Sequence, residues 1–137
     1  MGKNEFDFPK EEGFQYRSAV YVPSKVGTKR IPQKEFNRRI KETKNFVNSK
    51  FQGSTSVKAV GSYTDSKGRI INEDAVIVEN FTTRENWNKE DENVRKWLED
   101  KQKEWNQEAI GFEYESPKKP RRLIYIASKK KRLKEIS

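Results

Sequence analysis

The sequence predicts a single α+β domain of the ferredoxin-like split β-α-β type. It has an antiparallel sheet in the order β-α-β-β-α-β-β, with two helices on one face. Three observations predict this. Five stretches show the two-residue alternation of a strand, and two longer stretches repeat every three to four residues as a helix does. The helical stretches follow the first and third strands, which is the split βαβ order. At 137 residues, the chain suits one domain with a real core better than two.

Residues 1–13 hold Gly, Pro and charges, with Phe6 and Phe8 the only aromatic residues. We read them as an arm whose two rings suit docking. The first strand is predicted from Phe14 to Val22, with Tyr16, Val20 and Val22 alternating with Arg17, Ala19 and Tyr21. Pro23 ends it, and a basic loop with Lys25, Lys29 and Arg30 follows. Pro32 suits the first position of a helix, where a missing N–H costs nothing. From there Phe36, Ile40, Thr43, Val47 and Phe51 form one stripe, and Gly53 suits the left-handed residue that closes a helix.

Thr55–Thr64 and Arg69–Phe81 read as a strand pair joined by the turn Asp65-Ser66-Lys67-Gly68. Val57, Ala59, Gly61 and Tyr63 share one face of the first strand. Ala75-Val76-Ile77-Val78 is apolar on both faces, which marks the second strand as central. Thr82 with Glu85 offers a capping box for the second helix, whose stripe is Val94, Leu98, Lys101 and Trp105, ending near Asn106. Ala109–Glu115, with Ile110, Phe112 and Tyr114 inward, and Arg121–Ala127 complete the domain at 14–127. Residues 128–137 form a basic tail.

Composition excludes several function classes. There is no Cys and no His, which removes thiolate chemistry, disulfides and the commonest general base and metal ligand. No apolar run approaches the roughly 18 residues that a membrane helix needs, and the N-terminus has no apolar signal region. The expectations are a cytoplasmic protein, no membrane and no cofactor. Apolar residues make up only 31% against 37% charged, a balance that leans toward disorder. The apolar residues fall in periodic runs, however, so a thin aromatic-rich core is the better reading.

Charge is sorted along the chain. Residues 23–58 carry ten Lys/Arg against two acids, residues 59–116 carry eight against fourteen, and residues 117–137 carry nine against one. Three basic clusters follow from this. One is on the first helix, where Lys34, Arg38 and Lys41 share a stripe and Arg39 is placed near the opposite side. The second is Lys118, Lys119, Arg121 and Arg122 in the last hairpin. The third is Lys129, Lys130, Lys131, Arg132 and Lys134 in the tail. Clustered cations suit a polyanion through phosphate contacts and counterion release. Tyrosines on the strands could stack bases on the sheet face that helices leave open, although core or rim packing suits most of them. No glycine spacing fits a nucleotide loop.

Carboxylates are the one seat for metal chemistry. Glu73 and Glu79 lie about 20 Å apart along one strand, too far to act together, while Glu113 and Glu115 are about 7 Å apart. With Glu108 and Asp74 they could hold Mg²⁺ for a nuclease. The alternative for the same residues is acid–base pairing with Arg17, Arg121 or Arg122 across the sheet.

The pattern Phe51-x-Gly53-x-Thr55, Ala59-Val60-Gly61-Ser62-Tyr63, Gly68-Arg69-Ile70, Glu73 and Gln107-Glu108-Ala109-Ile110-Gly111 spans about residues 36–115. It resembles an uncharacterised family of small bacterial and archaeal α+β proteins. That resemblance implies a ferredoxin-like domain and no assigned activity. The functional expectation is therefore a non-enzymatic polyanion-binding domain, with nucleic acid as partner. The alternatives are an accessory or inhibitor module of a mobile element that docks on a protein or a second copy by charge complementarity, and the Mg²⁺-dependent nuclease.

Overall fold

Alternation sorts every long strand of this chain into one side that needs covering and one that does not. The computed structural model shows where the covered side goes; it describes residues 14–127. The elements are β1 (Tyr16–Pro23), β2 (Lys25–Val26), β3 (Lys29–Arg30), α1 (Gln33–Phe51), β4 (Thr55–Thr64), β5 (Ile70–Thr82), α2 (Arg84–Glu104), β6 (Ala109–Ser116) and β7 (Lys119–Ala127). The five long strands form one antiparallel sheet in the order β4-β5-β1-β6-β7. This is the ferredoxin-like arrangement with β7 added at one edge. The expected element order and antiparallel sheet are present, and the basic loop before α1 closes into the small β2–β3 hairpin.

The core lies between the sheet and the helices. Val20 and Val22 of β1, Val76 and Val78 of β5, and Ile110 and Phe112 of β6 are buried with Phe36, Val47 and Phe51 of α1 and Val94, Leu98 and Trp105 at α2. Helix α1 packs on β5 and β1, while α2 packs on β6 and β7. Stacked rings run through this layer, Phe51 on Trp87 and Trp87 on Tyr114. A second set joins Phe46, Trp97 and Trp105. Beyond β1 the β4–β5 hairpin continues as a two-stranded ribbon. It is braced where Lys25 Nζ donates to the Asn72 carbonyl at 2.9 Å and Arg30 pairs with Asp74 at 2.7 Å.

Helix ends depart from the expectation by one residue each. Pro32 precedes α1 with an extended ψ of 147° instead of opening it, and Gln52 rather than Gly53 takes the left-handed conformation, at φ 69°. At α2 the cap is Thr83, whose side chain accepts from the Asn86 backbone N–H. Thr82 is buried in β5 and takes an Asn86 amide bond instead.

Arg39 is the largest departure. Expected on the outer side of α1, it is 3% exposed. It lies three residues after Phe36 and four before Thr43, so helical geometry puts it on the buried stripe. Its guanidinium lies over the Trp105 ring, donates to the carbonyls of Trp105 and Pro23, and pairs with Glu35. It thus ties α1 to the ends of β1 and α2.

Two outcomes follow. Arg39→Ala, which leaves the Pro23 and Trp105 carbonyls without this donor and opens a gap over the Trp105 ring, should cost about 3 kcal/mol, whereas Arg38→Ala, which breaks exposed pairs, should cost less than about 1 kcal/mol. Denaturant unfolding of the two variants measures this, and equal losses would contradict it. Gln52→Gly should raise stability by roughly 1 kcal/mol, since glycine takes the left-handed region without strain. A lower denaturation midpoint would contradict that.

Candidate functional site on the open sheet face

The helices cover one side of the sheet, so the other side presents every second residue of five strands. Register lines these up in rows. Ala19 of β1 lies opposite Glu79 of β5 on one side and Glu113 of β6 on the other, and Glu113 lies opposite Leu123 of β7. The next row holds Phe81, Arg17 and Glu115. Tyr21 is opposite Ile77, and Gly111 is opposite Tyr125.

The centre of this face is a carboxylate. Glu113 is 2% exposed, and a buried charge persists only when its lone pairs are taken up. Arg17 Nη1 donates to its Oε1 at 3.1 Å, Arg121 Nε donates to the same oxygen, and the Tyr21 hydroxyl donates to Oε2. Arg17 also grips Glu79, with Nε at 3.0 Å and Nη2 at 2.6 Å. One guanidinium therefore spans two carboxylates from two strands. Burial alone would push the Glu113 carboxyl up, but the hydrogen bonds from Arg121, Tyr21 and Arg17 outweigh it and hold the group down at about 2. Burial, then the bond to Glu113, pushes the Tyr21 phenol up, so it stays a donor.

Local sequence features aim these groups. A side-chain Cβ at Gly111 would sit 3.3 Å from Tyr21 Cγ, so glycine lets the Tyr21 ring lie against the β6 backbone and reach Glu113. The β6–β7 register slips by one residue between Tyr114 and Ser116, where β7 carries Pro120. A bulge there accommodates a residue with no N–H. It is followed by Arg121, which turns to Glu113.

Around this centre stand exposed apolar groups: Val57, Tyr63, Phe81, Leu123 and Tyr125. The charges on this face are Glu73, Glu79, Glu113 and Glu115 against Arg17 and Arg121, by the alternation of the paired strands. The protein is basic overall, at +9, yet its open face is acidic.

The residues expected to bind polyanions do not gather. On α1, Lys34 and Lys41 are exposed, and Arg38 is bridged to Glu35 at 2.8 Å and Glu42 at 2.7 Å. Arg39 is in the core. Lys118 and Lys119 lie in the last hairpin, where Arg121 and Arg122 point to opposite faces of β7; Arg121 pairs with Glu113. Helix α2 separates α1 from β7. Lys129, Lys130, Lys131, Arg132 and Lys134 lie outside the described residues.

The metal expectation also fails. No group of three acids that could hold an ion occurs among the described residues, and Asp74 pairs with Arg30 instead. The acid–base alternative holds for Glu113, which takes both Arg17 and Arg121. Sequence reasoning missed Tyr21 and Glu79 as partners of this cluster. The one available signal was that Arg17, Ala19 and Tyr21 share the face opposite the core.

Glu113 binds its proton more weakly in the folded than in the unfolded chain, so protonation favours unfolding. Its stabilisation should be complete above its ordinary value of 4.5 and be lost as pH falls toward about 2. Its size is about 3 kcal/mol. Unfolding free energies measured between pH 5 and pH 2 should show this loss, and Glu113→Gln should be less stable at neutral pH with the slope reduced. An unchanged slope in that variant would contradict the assignment.

No family model matches the chain, and no curated protein matches it. Solved structures do. A phage SAM lyase in the apo state superposes with a TM-score of 0.59 at 15% identity, covering 90% of this chain and 98% of that one. A phage SAM lyase in complex with S-methyl-5'-thioadenosine superposes with a TM-score of 0.56 at 16% identity, covering 82% and 91%. Identity this low establishes a shared fold. The finding overturns the expectation of a non-enzymatic nucleic-acid-binding domain or docking module: two chains that share this fold over most of their length are those of an enzyme. Among the described residues the physical reason agrees: Arg39 is buried, Arg38 and Arg121 are paired with carboxylates, and Arg121 and Arg122 point to opposite faces of β7.

Proposed function

We propose that this chain is an enzyme that binds S-adenosylmethionine on the open sheet face and cleaves it as a lyase, releasing S-methyl-5'-thioadenosine. The observation that carries this reading is the likeness to phage SAM lyase over 82–90% of this chain and 91–98% of that one. The chemistry of the open face supports it. The substrate carries a sulfonium, an ammonium and one carboxylate, a net cation that an acidic face attracts. Exposed Tyr63, Phe81 and Tyr125 offer flat apolar area for an adenine ring, and Arg121 is the accessible cation for the carboxylate.

The reaction asks little of acid–base groups, which fits a chain without His or Cys. The Cγ–S bond breaks and its electron pair stays on sulfur, so the leaving group departs as a neutral thioether. The four-carbon fragment is balanced by closure of its own carboxylate oxygen on Cγ, which moves no proton, or by transfer of a Cβ proton to a water molecule as the Cβ–Cγ double bond forms. In either case the protein's part is to orient the chain and stabilise the changing charge. Glu113, held ionised, supplies a fixed negative charge at the centre of the face.

Incubation of the protein with S-adenosylmethionine, followed by chromatography, should show S-methyl-5'-thioadenosine appearing mole for mole as substrate disappears. Arg121→Ala, which leaves Glu113 to Arg17 and Tyr21 and so costs some stability, should keep the fold by circular dichroism and lower kcat/KM by roughly tenfold or more, the equivalent of about 1.4 kcal/mol or more. Intact substrate after prolonged incubation with folded protein would overturn the proposal.

A further inference from the structure

The sheet has two outer edges, and only one is blunted. At β7 the edge carries Lys119, Arg121 and Arg122, with Pro120 and a register slip near its start, features that keep an edge from pairing. At β4 the outer edge has no strand beside it among the described residues. This edge runs ten residues, Thr55–Thr64, with an unbroken register on β5, no proline and one charge, Lys58. Such an edge presents a row of N–H and C=O groups sideways, a template for another strand. Part of it also stands clear of the body. Strand β1 pairs with β5 only as far as Ala75, so residues 60–64 and 70–74 form a two-stranded ribbon, which is marginal alone in water. Val60 and Ile70, on the helix side of the ribbon, are 72% and 73% exposed. Lys25 and Arg30 brace its β5 side and leave the β4 side open.

We propose that β4 pairs antiparallel with β4 of a second copy of the chain, about a twofold axis at Val60. One register suits the strand. With Val60 opposite its own counterpart, Ala59 faces Gly61, Val57 faces Tyr63 and Lys58 faces Ser62, each in both directions. Open side then meets open side and helix side meets helix side across the seam. Val57 and Tyr63, both exposed in the single chain, become an aromatic–β-branched pair of the kind that stabilises sheets, and no like charges meet. Centring the axis on Lys58 would set lysine against lysine, and centring it on Ala59 or Gly61 would part Val57 from Tyr63. The chosen register turns the ribbon into four strands and, being isologous, closes with two copies. A second copy is the occupant that fits, because β4 complements its own sequence in this register. The association is independent of the proposed reaction.

Sedimentation equilibrium of the full chain should show reversible association to twice the 16.2 kDa chain mass. Ser62→Lys opposes Lys58 of the partner subunit at two places and should weaken association by roughly tenfold, while Ser62→Glu should strengthen it and make it salt-sensitive. Ser62 is exposed, and circular dichroism checks that both variants keep the fold. The absence of cysteine lets the register be read directly. Val60→Cys brings the two copies to a Cα separation of about 4.5–5.5 Å, which a disulfide spans, and should cross-link under mild oxidation. Ser62→Cys, whose two copies fall about 13 Å apart along the seam, should not. A chain that stays monomeric at millimolar concentration, a trimer or larger assembly, association indifferent to both charged Ser62 variants, or faster cross-linking at Ser62→Cys would each overturn the proposal.

Discussion

The open half of this fold depends on how one buried carboxylate is paid for. A charge as deeply placed as Glu113 is tolerated only when each oxygen is taken up by a donor, and its donors come from β1 and β7 while its own strand is β6. Arg17 extends the network to Glu79 on β5. Four of the five long strands are thereby pinned at one register. A slip of one residue in any strand would carry its member to the helix side, leave a charge unpaired and expose core residues. The same interaction fixes the fold and builds the centre of the candidate site.

The network also changes the meaning of the chain's positive charge. Arg17, Arg38, Arg39, Lys101 and Arg121 all lie within reach of carboxylates. Much of the basic character therefore acts inside the molecule. On the open face acids outnumber bases, so the proposed cationic substrate suits that face better than a polyanion does. Net charge reports solubility and long-range attraction; the local balance of a surface decides what sits on it.

Much of the fold was legible in the sequence because it follows from local periodicity. The β4 strand, Thr55–Thr64, has the expected ends, and the two-sided apolar run Ala75–Val78 does lie in an interior strand, β5. What was not legible depends on contacts between distant residues. Arg17 and Glu113 are 96 positions apart, and nothing in either neighbourhood announces the other. Arg39 is the opposite case: its spacing from Phe36 and Thr43 already placed it on the buried stripe, and a charged residue type obscured that. At Gln52 the helix needed a left-handed residue one position before the glycine, because the last turn closes onto Asn48.

The ionisation of Glu113 is the property from which register, charge balance and the proposed site all follow. Its side-chain carboxyl carbon can be followed directly by NMR through an acid titration of the intact chain. A midpoint near about 2 is the predicted result. A midpoint at the ordinary carboxylate value of 4.5 would mean that Arg17, Tyr21 and Arg121 do not hold this group, and the account of the open face would fail with it.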